Sequence, residues 1–432
     1  MESFLNVQVI LILLVFIIGI ALMMTKKLPA ILALPLLGVI IATIAGVPFM
    51  TPAKEEGQTI MAFVIASGAS KLAGTIIATI FGAIFAKIIQ KQGISDAIIR
   101  KAAELAGDKP LAIAIVLTAA TAIIFTAISG AGPVIMVSTI VIPLMLSAGI
   151  APTVAASLVL MGLSIGLIFN VANYQMYIDV IGMDIEVIKS TSLVMGIISI
   201  VVTLAYIVIN VNRKSVRSSW AMPAEDKNVK KVNPIALVTP LLPILLVYLF
   251  KFNAEISLLI AIVVTVLITS PKQTVQIISG ATVEGVKDVA GVIALMIGIG
   301  ILLNGVAAEA TTALMQPLIG AILPTNPVIY VILFTILSPL ALYRGPLNMY
   351  GLGSGLANIF LAAGILSPVA VGMALRSTSV VQCISDPTNT QNVIVADFAK
   401  VDVNDILKST LPYTVVMAFG ILLYTAIFIF HI

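Results

Sequence analysis

Three side chains that can hold a charge inside otherwise apolar stretches fall close together in the second half of the chain: Arg344, Arg376 and Asp386. An arginine there costs about 2.5 to 3.5 kcal/mol on insertion scales and cannot shed its charge, but its planar fork suits a carboxylate bidentately. Arg344 therefore either anchors an anion or caps carbonyls of its own loop. Arg376 reads first as a structural ion-pair or dipole partner, with a second substrate carboxylate left open. Asp386 can carry a proton, ligate Na⁺ with hard oxygens, or pair with one of the two arginines. It begins the motif Asp386-x-x-Asn389-x-Gln391, with Thr388 inside it, and Asn170-x-x-Asn173-x-Gln175 precedes that motif at an offset of 216. Amides both donate and accept, so they fit a substrate or polar packing between helices. Two Gly/Pro clusters complete the set, Ser129-Gly130-Ala131-Gly132-Pro133 and Tyr343-Arg344-Gly345-Pro346 with Asn348 just beyond.

The background is hydrophobic: 60% of the 432 residues are apolar and 10% charged. Soluble domains carry about one quarter charged residues, so a water-facing enzyme is excluded. Apolar runs of about 20 residues match a bilayer core of roughly 30 Å, which makes this an all-α polytopic membrane protein. The lone His431 and the lone Cys383 exclude a His-based metal centre, a Ser/His or HExxH protease and an internal disulfide. No GxxxxGK[ST] loop is present to drive transport with ATP, no metal or organic cofactor is expected, and no basic, aromatic-interleaved face suggests nucleic acid. The start MESFLN lacks a basic region and a cleavage pattern, so the first span is expected to be retained.

Five spans are expected in each half: Val7 to Met24, Leu28 to Val47, Leu72 to Ile89, an interrupted span from Thr153 to Val180, and Ser190 to Val211; then Ile235 to Phe250, Ile256 to Thr269, Val289 to Val306, an interrupted span from Val369 to Val395, and Leu411 to Phe430. Between the third and fourth spans of each half, paired apolar arms (Leu111 to Ile128 with Val134 to Leu146, and Val328 to Leu342 with Leu347 to Leu361) flank the Gly/Pro clusters. Irregular backbone at membrane depth survives only inside protein or beside water, so these read as re-entrant hairpins, with two ordinary spans as the alternative. Gly93 to Gly107 and Ala307 to Leu318 read as interfacial helices.

With this count, seventeen Lys/Arg fall on the side of Lys26 and Lys27 and four (Lys54, Lys71, Lys189, Lys251) on the other, which puts the linker 213–233 in the cytoplasm and both termini outside. An odd number of spans per half means that 234–432 repeats 1–212 upside down. The 216 offset also relates Pro152 to Pro368 and Lys71 to Lys287.

The opening MTKKLPAILALPLLGVIIATIAGV, the hairpins GAGPVIMVSTIVIPLMLSAGI and YRGPLNMYGLGSGLANIFLAAGI, and the breaks FNVANYQ and ISDPTNTQN resemble the ion transporter superfamily, in its citrate transporter-like group of citrate-metal:proton symporters, with gluconate:proton symporters as neighbours. The resemblance implies inverted repeats whose hairpin tips meet interrupted helices, a homodimer in the lipid bilayer, an elevator-like motion, and uptake of organic anions with H⁺ or Na⁺. A tip holding Arg344 favours a free anion over a metal complex. The expectation is a secondary carrier for a small carboxylate. Substrate would be bound by Ser129, Gly130, Gly132, Asn170, Asn173, Gln175, Arg344, Gly345, Asn348, Thr388, Asn389 and Gln391, with Asp386 coupling the ion. A cation/proton antiporter, with Asp386 carrying the cation, is the alternative; no catalytic pair supports an enzyme.

Overall fold

A bilayer offers no water to backbone N–H and C=O groups, so apolar runs close their hydrogen bonds within helices, and among the described residues no strand forms. The computed structural model describes residues 6–25, 27–50, 57–107, 109–213 and 232–430, without the side chains of Met24, Asn212, Arg213 and Arg344. Most of the expected linker, 213–233, lies outside the described residues.

The first half runs α1 (Val7–Met24), α2 (Ala30–Ile44), a π-helical stretch Ile60–Ser67 with the one-turn α3 (Gly68–Ser70), α4 (Ala73–Lys91), α5 (Ile94–Ala106), α6 (Pro110–Phe125), α7 (Ala131–Ser147), α8 (Pro152–Ile168), α9 (Val171–Ile181) and α10 (Ile185–Arg213). The second half repeats this order. A 3-10 stretch Pro234–Leu241 leads into α11 (Leu242–Phe250), followed by α12 (Ala254–Thr269), α13 (Thr274–Ala307), α14 (Glu309–Ile322), α15 (Pro327–Leu337) with a 3-10 extension Ser338–Arg344, α16 (Leu352–Ala362), α17 (Pro368–Ser385), α18 (Thr390–Ala399) and α19 (Val403–Tyr424).

Both interrupted spans are broken helices. The axis turns by 60° between α8 and α9, and residues 386–389 separate α17 from α18. In the second hairpin, α15 and α16 have 11 residues each. At 1.5 Å per residue α16 is about 16 Å long, half of a bilayer core, while the other arm continues from α15 through its 3-10 extension to Arg344.

The hairpin boundaries shift from the expected ones for local reasons. The first tip is 126–130; Gly132 and Pro133 belong to the first turn of α7, where proline's missing N–H costs nothing. At Gly130 the backbone stands at φ +101, ψ 173, a region open only to glycine. The second tip extends to Gly351, and α16 starts five residues later than the apolar run suggested. Asn348 causes the delay: its Oδ1 accepts from the Tyr350 amide at 3.0 Å and its carbonyl from the Gly351 and Gly353 amides. Tyr343 sits at φ 56, left-handed for a non-glycine residue.

Helices α8 and α17 are buried on nearly every face and form the centre. On the other side of the molecule α13 packs on α2 and α3 through glycines. A Cβ on Gly305 would lie 2.2 Å from the Gly38 carbonyl oxygen, and one on Gly300 equally close to that of Gly68. Such contact is open only to residues without side chains.

Candidate functional site

The two breaks hold their hairpins in matching ways. In the first half Asn170 caps α9: its Oδ1 accepts from the Ala172 amide at 3.1 Å, and its Nδ2 donates to the Phe125 carbonyl at the end of α6 at 3.4 Å. Asp386, 216 residues on, follows the last residue of α17 at the start of the second break. Its Oδ1 accepts from the Thr388 amide and hydroxyl at 2.8 and 2.7 Å, and from the Tyr343 amide in the second hairpin at 3.0 Å. One half therefore fastens its hairpin through a carbonyl and the other through an amide, which explains why amide and carboxylate replace one another. Asp386 is fully buried, and its Oδ2 has no hydrogen-bond partner among the described residues.

Between the tips, the breaks and α13 lies a cavity of about 390 Å³. Of the sequence-predicted residues it brings together Ser129, Gly130, Asn173, Asn348, Asp386, Asn389 and Gln391. Asn173 donates to the Leu167 carbonyl at 3.0 Å and accepts from the Tyr350 hydroxyl at 2.8 Å, joining the first break to the second tip. Gln391 donates to the Cys383 carbonyl at 3.3 Å. Asn389 precedes α18 without using its side chain as a cap.

Others stand back from the cavity. Asn170 and Thr388 fix the breaks as described. Gln175 donates to Asp179 at 2.8 Å, and Asp179 also accepts from the amide and hydroxyl of Thr75 on α4. Gly345 lies tight against the Leu340 and Leu342 carbonyls. Gly132 faces the ion pair of Lys87 and Asp288, 2.7 Å apart, which joins α4 to α13. The side chain of Arg344 lies outside the described residues; the neighbouring Tyr343 amide puts this part of the tip beside Asp386.

Arg376 is the cation of the cavity among its described lining residues, and it is buried. Of the two structural roles expected for it, ion pair or dipole partner, no ion pair among the described residues includes Arg376. Its partners are neutral. Nη1 donates to Thr191 Oγ1 and, at 3.4 Å, to the Ile188 carbonyl, while Nη2 donates to Ser192 Oγ. The Tyr177 ring centroid is 5.5 Å away. Nε–H and one Nη2–H have no partner among the described residues, which leaves the guanidinium two donors to offer.

Sequence reading missed Thr79, Ser164, Tyr350, Ser379 and Asp288, which also line the cavity. Asp288 is the one with a readable signal: it stands just before the apolar run Val289 to Val306. Which way it points depends on the rotation of α13, set by glycine contacts such as Gly285 against the α4 backbone, one turn away.

No family model matches the chain, and no curated protein matches it. Among solved structures the fold is similar to the YdaH transporter of Alcanivorax borkumensis, with a TM-score of 0.63 and 14% identity over 92% of this chain and 97% of that one. It is similar also to MtrF of Neisseria gonorrhoeae, described within a class of antimetabolite efflux pumps, with a TM-score of 0.59 and 12% identity over 93% and 94%. The chain has the fold of a polytopic membrane transporter. At these identities the likeness speaks to the fold and not to the citrate transporter-like group.

Proposed function

We propose that the chain is a secondary transporter for a small organic anion, driven by H⁺ or Na⁺, in keeping with the citrate transporter-like features of its sequence. The observation that carries this reading is Arg376. A buried guanidinium satisfied by hydroxyls and a carbonyl keeps its charge uncompensated, and on a residue that lines the cavity its two remaining donors suit a carboxylate. The backbone amides of the first tip and the side chains of Asn173 and Asn389 complete the site. Asp386, with one oxygen bound and one unpartnered, takes the coupling cation. Elevator-like movement of the hairpins and broken helices against α4 and α13 in a homodimer would expose this site to either side, with the linker cytoplasmic.

The test is a thermal-shift screen of purified protein against carboxylates, with and without Na⁺ and at several pH values. A stabilising anion is expected, and Arg376→Gln is expected to weaken its binding about 10- to 100-fold, the scale of one or two charge-assisted hydrogen bonds. Unchanged anion binding in Arg376→Gln removes the anchor. The cation/proton antiporter reading draws on Asp386 alone; Na⁺-driven proton movement in proteoliposomes without any organic anion would establish it instead.

A further inference from the structure

Three helices meet at the Arg376 guanidinium: α17, which carries it, α9, whose Tyr177 ring lies beside it, and α10, which supplies all of its oxygen partners among the described residues. On α10 those partners, Ile188, Thr191 and Ser192, stand at i, i+3 and i+4, so they share one face of its first turns. Met195, one turn further on that face, lines the cavity. The anchor is thus held across the two halves of the chain, from the last helix of the first to the broken helix of the second.

The acids of these helices are engaged elsewhere. Glu186, in the first turn of α10, pairs with Lys189 at 3.0 Å. Asp179, near the end of α9, accepts from Thr75 and Gln175. No acid lies within α17, and Asp386 beyond its end is about 15 Å from Arg376 along the helix. A hydroxyl oxygen accepts from a guanidinium and fixes its direction without bringing charge. A carboxylate in the same place would hold the cation and neutralise it as well.

We infer that Thr191 and Ser192 are positioning residues of the anion site: from α10 they hold Arg376 at the cavity, and the use of hydroxyls there in place of an acid keeps its charge for the cargo. This rests on the anchoring role of Arg376 given above. The test is thermal shift on the purified full chain, with acetate, lactate, succinate, citrate and gluconate as probes and the strongest stabiliser titrated against each variant. Thr191→Val with Ser192→Ala is expected to raise the anion concentration for half the shift roughly tenfold or more, the scale of lost hydrogen bonds to a charged group. Exchanging the hydroxyls, Thr191→Ser with Ser192→Thr, is expected to hold it within about threefold. Thr191→Asp puts a carboxylate on the guanidinium, so its unfolding temperature without anion should equal or exceed that of wild type while the response to anion disappears. Thr191→Asn, neutral and of the same size, should still respond.

An undiminished response in Thr191→Val with Ser192→Ala overturns the positioning role. Equal loss in Thr191→Asp and Thr191→Asn overturns the inference too, since size and not charge would then be decisive. If Thr191→Asp does not fold, the hydroxyl deletions set against the hydroxyl exchange decide alone. Arg376→Gln separates this inference from the reading beneath it: binding unchanged there removes the anchor and both fall, whereas binding lost there and intact without the hydroxyls overturns the positioning role only. No response of wild type to any of the five probes removes both.

Discussion

Asn170 and Asp386, 216 residues apart, each tie a break to its hairpin, yet only Asp386 brings a charge. Asp386→Asn preserves the oxygen that accepts from the Thr388 amide, so it is expected to fold, while removing the carboxylate assigned to the cation. Anion binding measured by thermal shift should then lose its dependence on Na⁺ or pH; a dependence that persists moves coupling to another group. The equivalence of these two residues was legible in the sequence, because rare polar residues at membrane depth recur at a fixed offset. The standing of Arg376 was not. Its hydroxyl partner Thr191 is 185 residues away in the chain, and no local pattern announces that those partners are hydroxyls and not acids.

Hairpins and breaks were legible as elements because glycine and proline interrupt apolar runs there. Their ends were not, because hydropathy does not register that Asn348 turns the chain on itself or that Pro133 starts a helix. The first tip depends on Gly130, whose backbone no L-residue adopts comfortably. Gly130→Ala is expected to destabilise by about 1 to 3 kcal/mol, the cost of a residue held in a sparsely populated region, read as a lower unfolding temperature. An unchanged midpoint would mean that the tip relaxes into another conformation.

At the scale of the whole molecule, α13 offers a controlled comparison within one helix. Gly305→Ala presses a methyl group onto the Gly38 carbonyl and is expected to cost about 1 to 3 kcal/mol through overpacking. Gly291→Ala has open space and gains roughly 0.5 to 1 kcal/mol in helix propensity. Denaturation midpoints should move in opposite directions; movement together would show that the glycine contacts do not hold α13 on α2. The repeated order of elements was readable from hydropathy, whereas this packing was not, since a glycine looks the same in sequence whether or not a backbone touches it. Arg376 lies midway along α17 and Asp386 just past its C-terminal end, while the position 216 residues before Arg376 is Leu160, uncharged and buried. In a carrier that moves α17, the formal charges of this pair cancel, so the pair itself adds no work against the membrane potential, about 2.3 kcal/mol for each unit charge per 100 mV. A bound anion or cation then sets the electrical work this helix does, each with its own sign.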